Sequence, residues 1–147
     1  KIRKLTFFER SLAAGIGDPT EFEDEGEPIF LYASEAVDRA DCVFSVSGDS
    51  MEPEYHDGDL VLVRRIPDAP ELKEGEIGAF IVGNETYIKE YREDGLHSLN
   101  PKYDVMHFSD EESVYLIGRV MGVLNPESIA TETDVKRYLA IHGDAEN

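Results

Sequence analysis

The stretch Val43-Phe44-Ser45-Val46-Ser47-Gly48-Asp49-Ser50-Met51-Glu52-Pro53, followed by Asp57-Gly58-Asp59-Leu60-Val61-Leu62-Val63, decides the fold. Val43–Ser47 alternates as a strand does, then turns at Gly48. Leu60–Val63 is a near-continuous apolar run introduced by the turn residues Asp57-Gly58-Asp59. Two short strands on either side of a tight, polar corner define the local architecture. The corner itself ends at Pro53, a residue suited to a first helical turn.

Downstream the same pattern repeats. Ile77–Val82 ends at Gly83-Asn84, and Thr86–Tyr91 begins only three residues after Val82, which is hairpin spacing. Leu96–Leu99 and Val114–Leu124 read as further strands, with Gly118 and Gly122 marking bends or bulges. Strands this short and this regularly punctuated predict a mainly β chain: coiled antiparallel sheet with a partial barrel, not a βαβ fold. Helix is scarce. Ser34–Arg39 fits a turn or two. In the tail, Val135, Tyr138, Leu139 and His142 fall at helical spacing, with Thr131 or Thr133 as N-cap and Gly143 as stop.

Upstream the chemistry changes. Asp18, Glu21, Glu23, Asp24, Glu25 and Glu27 fall together with no base among them, and Pro19, Gly26 and Pro28 break the run. Such a segment cannot bury itself and reads as a solvated linker. Before it, Leu12-Ala13-Ala14-Gly15-Ile16-Gly17 is small and flexible, a backbone that a protease cleft takes in extended form. The organisation is therefore a linker region over 1–28, a β domain over 29–124 and a helical tail over 125–147.

With 32 acidic and 14 basic residues, the 147-residue chain carries a formal charge of −18. That charge repels phosphate and argues against direct contact with nucleic acid. No apolar run approaches the ~18 residues of a membrane span. The basic Lys1-Ile2-Arg3-Lys4 leads into no signal-peptide core, so a cytoplasmic setting is expected. One cysteine, Cys42, excludes an internal disulfide and fits a reducing compartment. The chain opens on lysine instead of methionine and reads as a fragment.

Metal and histidine chemistry recede first. His56, His97, His107 and His142 are scattered, with no His-x-x-x-His pair, so neither a metal site nor a cofactor is expected. No Gly-x-x-x-x-Gly-Lys loop or Gly-x-Ser-x-Gly elbow occurs. Ser50 at the corner would expose its hydroxyl near free backbone N–H groups, those of Ser50 and Met51 among them, and such donors stabilise an oxyanion. Taken alone, a serine so placed is more often a helix cap. A nucleophile needs a base, and Lys89 is the candidate. It alternates with Tyr87 and Tyr91 on one strand face, where a lysine is usually exposed with its stem on the rings. It becomes a base only if burial lowers its pKa from ~10.4.

Three motifs in order, Ser47-Gly48-Asp49-Ser50-Met51, Asp57-Gly58-Asp59-Leu60-Val61 and Thr86-Tyr87-Ile88-Lys89, resemble the signature of the LexA-type self-cleaving proteins of peptidase family S24. That family includes the SOS repressor LexA, lambdoid phage repressors and the mutagenesis protein UmuD. The likeness runs from about Leu12 to Leu124. It implies Ser50 as nucleophile, Lys89 as general base and Ala14-Gly15 as the self-cleavage site. The acidic stretch after Gly15 and the tail beyond Leu124 depart from the family pattern. The resemblance further implies a homodimer, stimulation by RecA filaments on single-stranded DNA, and operator binding only through a missing N-terminal helix-turn-helix domain. A UmuD-like accessory protein and a dimerisation module that never cleaves are the alternatives. A signal-peptidase relative fits less well, because no membrane anchor is present.

Overall fold

A computed structural model describes residues 1–9, 26–65, 72–111 and 113–143. The predicted cleavage site Ala14-Gly15 and most of the acidic run lie outside the described residues. Among the described residues nine strands form one open sheet: β1 (Ile2–Phe8), β2 (Glu27–Tyr32), β3 (Cys42–Ser45), β4 (Leu60–Arg65), β5 (Ile77–Val82), β6 (Glu85–Arg92), β7 (Gly95–His97), β8 (Met106–His107) and β9 (Val114–Val123). Their order is β2-β1-β3-β4-β9-β5-β6-β7-β8. The mainly β class expected from the sequence holds, and the sheet does not close. It is mixed where the sequence suggested antiparallel, because β1 runs parallel to β3, pairing Thr6–Phe8 with Cys42–Phe44. The return strand β2 lies outside β1, so β1 is left facing β3 in the same direction.

Alternation explains the near-continuous apolar runs. In β3 and β4, Cys42, Phe44, Val61 and Val63 enter one core with Phe8, Met51, Ile81, Ile88 and Ile117. Val43 and Leu62 enter a second with Leu31, Val37 and Leu124. A strand buried on both faces has no polar side, so the period of two disappears from its sequence. Phe8 stacks on Phe44 with ring centroids 4.9 Å apart, which pins the end of β1 to the centre of the sheet.

Strand β9 lies between β4 and β5 and carries two bulges, one against Leu62/Val63 and one against Ala79/Phe80. They fall beside Gly122 and Gly118, the positions that the sequence marked. A Cβ on Gly118 would lie 2.3 Å from the Arg64 carbonyl oxygen. The short helix α1 (Glu35–Asp38) is capped by Ser34, whose hydroxyl accepts from Val37 N–H at 3.1 Å. Helix α2 (Glu132–His142) starts at Thr131 as N-cap and stops at Gly143, in line with the spacing of its apolar residues. Its Tyr138 packs on Phe30 of β2.

Gly118→Ala forces backbone apart at the centre of the sheet. It is expected to destabilise the domain by about 1–3 kcal/mol, seen as a lower urea midpoint with an unchanged slope.

Candidate active site

The corner before β4 is built by backbone capture. Gly58 adopts φ +89°, a left-handed conformation that a side chain would strain. This lets its N–H reach Val46 O, while Val46 N–H reaches Asp59 O, both at 2.8 Å. The two carboxylates of the Asp57-Gly58-Asp59 motif are then spent on N–H groups. Asp57 Oδ1 accepts from Gly48 at 2.7 Å, and Asp59 Oδ2 accepts from His56 at 2.8 Å. Met51 is 1% exposed and anchors the corner in the core. One turn closes, with Tyr55 N–H bonded to Met51 O. No helix follows Pro53, contrary to the sequence expectation, because Tyr55 is drawn into the core and the aspartates turn the chain back.

Strand β6 brings Lys89 to this corner. Its Nζ lies 2.8 Å from Ser50 Oγ and 2.8 Å from Ser98 Oγ. Lys89 is only 7% exposed, so the exposed strand lysine that the tyrosine neighbours suggested is not what the fold makes. Ser98 went unmarked in the sequence. The signal was available: β6 and β7 pair Arg92 with Gly95, Tyr91 with Leu96 and Glu90 with His97. One step further in that register sets Ser98 opposite Lys89.

The segment after Ser98 packs over the serine corner. Asn100 N–H donates to Ser50 O at 2.9 Å, and its Nδ2 donates to Asp49 O at 3.1 Å. Tyr103 donates its phenol to the Asp49 carboxylate, and Lys102 Nζ lies 3.4 Å from it. The Tyr103 hydrogen bond, aided by the Lys102 charge, holds the Asp49 carboxyl below the usual carboxylate range. The same bond pushes the Tyr103 phenol up.

Between the corner and β6 lies a cleft of about 250 Å³, lined by Ser47, Ser50, Met51, Thr86, Lys89 and Tyr103 among others. Thr86 Oγ1 donates to Glu9 O at 3.3 Å, so the chain leaving β1 does so at the cleft wall. The N–H groups of Ser50 and Met51 bond to no acceptor among the described residues. Chemically, the site holds an amine against a hydroxyl.

Among the described residues no cluster of His, Cys, Asp and Glu could hold a metal ion. Burial pushes the Cys42 thiol up to about 12, which keeps it from acting as a nucleophile. No helix among the described residues is long and apolar enough to cross a membrane.

A fold of this kind with this corner defines a class. The family model described as Peptidase S24-like matches residues 7–121, and the chain belongs to that family. The LexA repressor of Thermobifida fusca (strain YX) is 32% identical over 111 residues. That alignment covers 74% of this chain but 43% of the relative, so the chain spans less than half of that protein's length.

The Asp49–Tyr103 contact has a pH signature. A carboxyl whose folded pKa is depressed contributes stability above its unfolded value of ~3.9, and this is lost as pH falls through the folded pKa. Tyr103→Phe should therefore move the Asp49 carboxyl upward toward ~3.9, as followed by its NMR chemical shift against pH.

Proposed function

We propose that this chain is the C-terminal, self-cleaving domain of a LexA-like or phage-repressor-like transcriptional regulator, cutting itself between Ala14 and Gly15. The observation that carries the proposal is a buried lysine amine 2.8 Å from the hydroxyl of Ser50, in a chain of the Peptidase S24-like family.

In the proposed reaction, neutral Lys89 accepts the Ser50 proton as Oγ attacks the Ala14 carbonyl carbon. A neutral amine has one lone pair and two N–H groups. Donation of an N–H to Ser98 aims the lone pair at Ser50. The oxyanion forms facing the Ser50 and Met51 N–H groups. Lys89 then passes the proton to the Gly15 nitrogen as the C–N bond breaks, leaving an acyl ester on Ser50. Water, deprotonated by Lys89, hydrolyses the ester and restores the hydroxyl.

Chain length supports reaction in cis. Glu9 sits against Thr86, and the five residues from Glu9 to Ala14 span up to about 17 Å when extended. Thr86 to Lys89 is three strand residues, ~10 Å. The tether makes the encounter unimolecular and supplies a high effective concentration. Dimerisation, a cytoplasmic setting, RecA–single-stranded DNA as stimulator and operator contact through a preceding domain belong to the same proposal. Dimerisation and operator contact draw on the family and on the LexA repressor relative, and the RecA and cytoplasmic parts on the motif resemblance alone.

Self-cleavage read by intact mass should accelerate as pH rises and the ammonium loses its proton. Ser50→Ala and Lys89→Ala should each slow it by at least ~10³-fold. Persistence in Ser50→Ala would overturn the mechanism, and a wild-type chain inert at every pH would leave a pure binding module. Ser98→Ala should cleave roughly tenfold slower, the effect of one hydrogen bond worth about 1.4 kcal/mol.

A further inference from the structure

The two N–H groups that face the proposed reaction are not held by Ser50 and Met51 themselves. Each belongs to a planar trans peptide, because the one cis bond in the described chain is Glu52–Pro53. In a trans peptide the C=O and the following N–H point in opposite directions. Fixing the carbonyls of Asp49 and Ser50 therefore fixes the N–H groups of Ser50 and Met51. One residue reaches both carbonyls, although Asp49 O also accepts from Glu52 N–H at 3.2 Å within the turn. Asn100 Nδ2 donates to Asp49 O at 3.1 Å, and Asn100 N–H donates to Ser50 O at 2.9 Å. Its own amide is locked in turn, since Oδ1 accepts from Lys102 N–H at 3.1 Å. Ser50 and Met51 line the cleft and Asn100 is not among its lining residues, an arrangement that fits N–H groups turned from Asn100 toward the cleft.

We infer that Asn100 is a positioning residue that aims the Ser50 and Met51 N–H groups at the developing oxyanion. The inference rests on the proposed self-cleavage and deepens it. Such donors act by being oriented before the reaction, so their worth depends on what stops the two peptide planes from rotating. The side-chain amide holds the Asp49–Ser50 plane together with the longer Glu52 N–H contact, and the backbone N–H holds the Ser50–Met51 plane. Removing the side chain leaves the first plane to the Glu52 contact alone and loosens the turn that holds the second. Lys89 is not touched, so the proton-transfer step keeps its pH dependence.

The experiment compares the 147-residue wild type with Asn100→Ala and Asn100→Leu, the latter keeping the branched side-chain skeleton without its polar atoms. Thermal melts establish that each is folded, and either variant suffices if the other is not. Self-cleavage is followed by intact mass from about pH 7 to about pH 11, spanning the lysine range. The probe for the oxyanion site is a peptide boronic acid with the sequence Arg10–Ala14, boroalanine replacing Ala14, whose tetrahedral adduct on Ser50 carries the oxyanion. Its control is the same peptide ending in a carboxamide.

The expected result is a high-pH rate roughly 10- to 100-fold lower with an unmoved pH midpoint, and boronate affinity reduced by a similar factor while the carboxamide is unaffected. A purely structural role would move both peptides alike. The inference is overturned if folded variants cleave within about twofold of wild type, if boronate affinity is unchanged, or if the wild type fails to bind the boronate. A wild type that binds boronate but never cleaves would sink the self-cleavage reading and leave the Asn100 comparison to the boronate arm.

Discussion

An amine withdrawn from water must have its hydrogen-bonding groups met, and Lys89 meets this with the hydroxyls of Ser50 and Ser98, each 2.8 Å away. The arrangement demands that three separate parts of the chain converge: the corner after β3, the middle of β6 and the end of β7. Much of the fold serves that convergence. The Asp57 and Asp59 carboxylates fix the corner, Met51 nails it into the core, and the β6–β7 hairpin delivers Ser98 in register.

The same geometry explains how one domain could be both enzyme and substrate. Phe8 stacked on Phe44 fixes the end of β1, and Glu9 touches the cleft wall at Thr86. The small Leu12–Gly17 stretch comes only three residues later in the chain. A peptide leaving a rigid strand beside a nucleophile needs no diffusion to find it. If the proposed self-cleavage holds, its control lies in the conformation of the tether or the proton on Lys89 and not in the affinity of a substrate.

How much of this was legible depends on how local each signal is. The β5–β6 hairpin, the glycine-marked bulges of β9 and the Thr131 to Gly143 limits of α2 are local, and the sequence predicts them. The parallel pairing of β1 with β3 depends on where a distant return strand settles. Ile2–Phe8, with Arg3-Lys4 and Phe7-Phe8 each adjacent, carried no clean alternation to announce a strand. Ser50 and Lys89 stood out through motif order, yet their contact spans 39 residues and needed the fold. Ser98 was readable only by extending a hairpin register past its last paired residue, and Asn100, which bonds a corner 51 residues away, was not readable from any local register. The expected helix after Pro53 failed because buried Tyr55 outweighed the proline preference for a first turn.

The central claim is that the proton on Lys89 governs the reaction. The direct measurement is an NMR titration of the Lys89 side chain, labelled at Cε, in the Ser50→Ala chain, set beside the pH profile of wild-type self-cleavage. The account predicts that the midpoint of the Lys89 titration coincides with the midpoint of the rate. A rate that climbs through a pH range in which Lys89 does not titrate would contradict it.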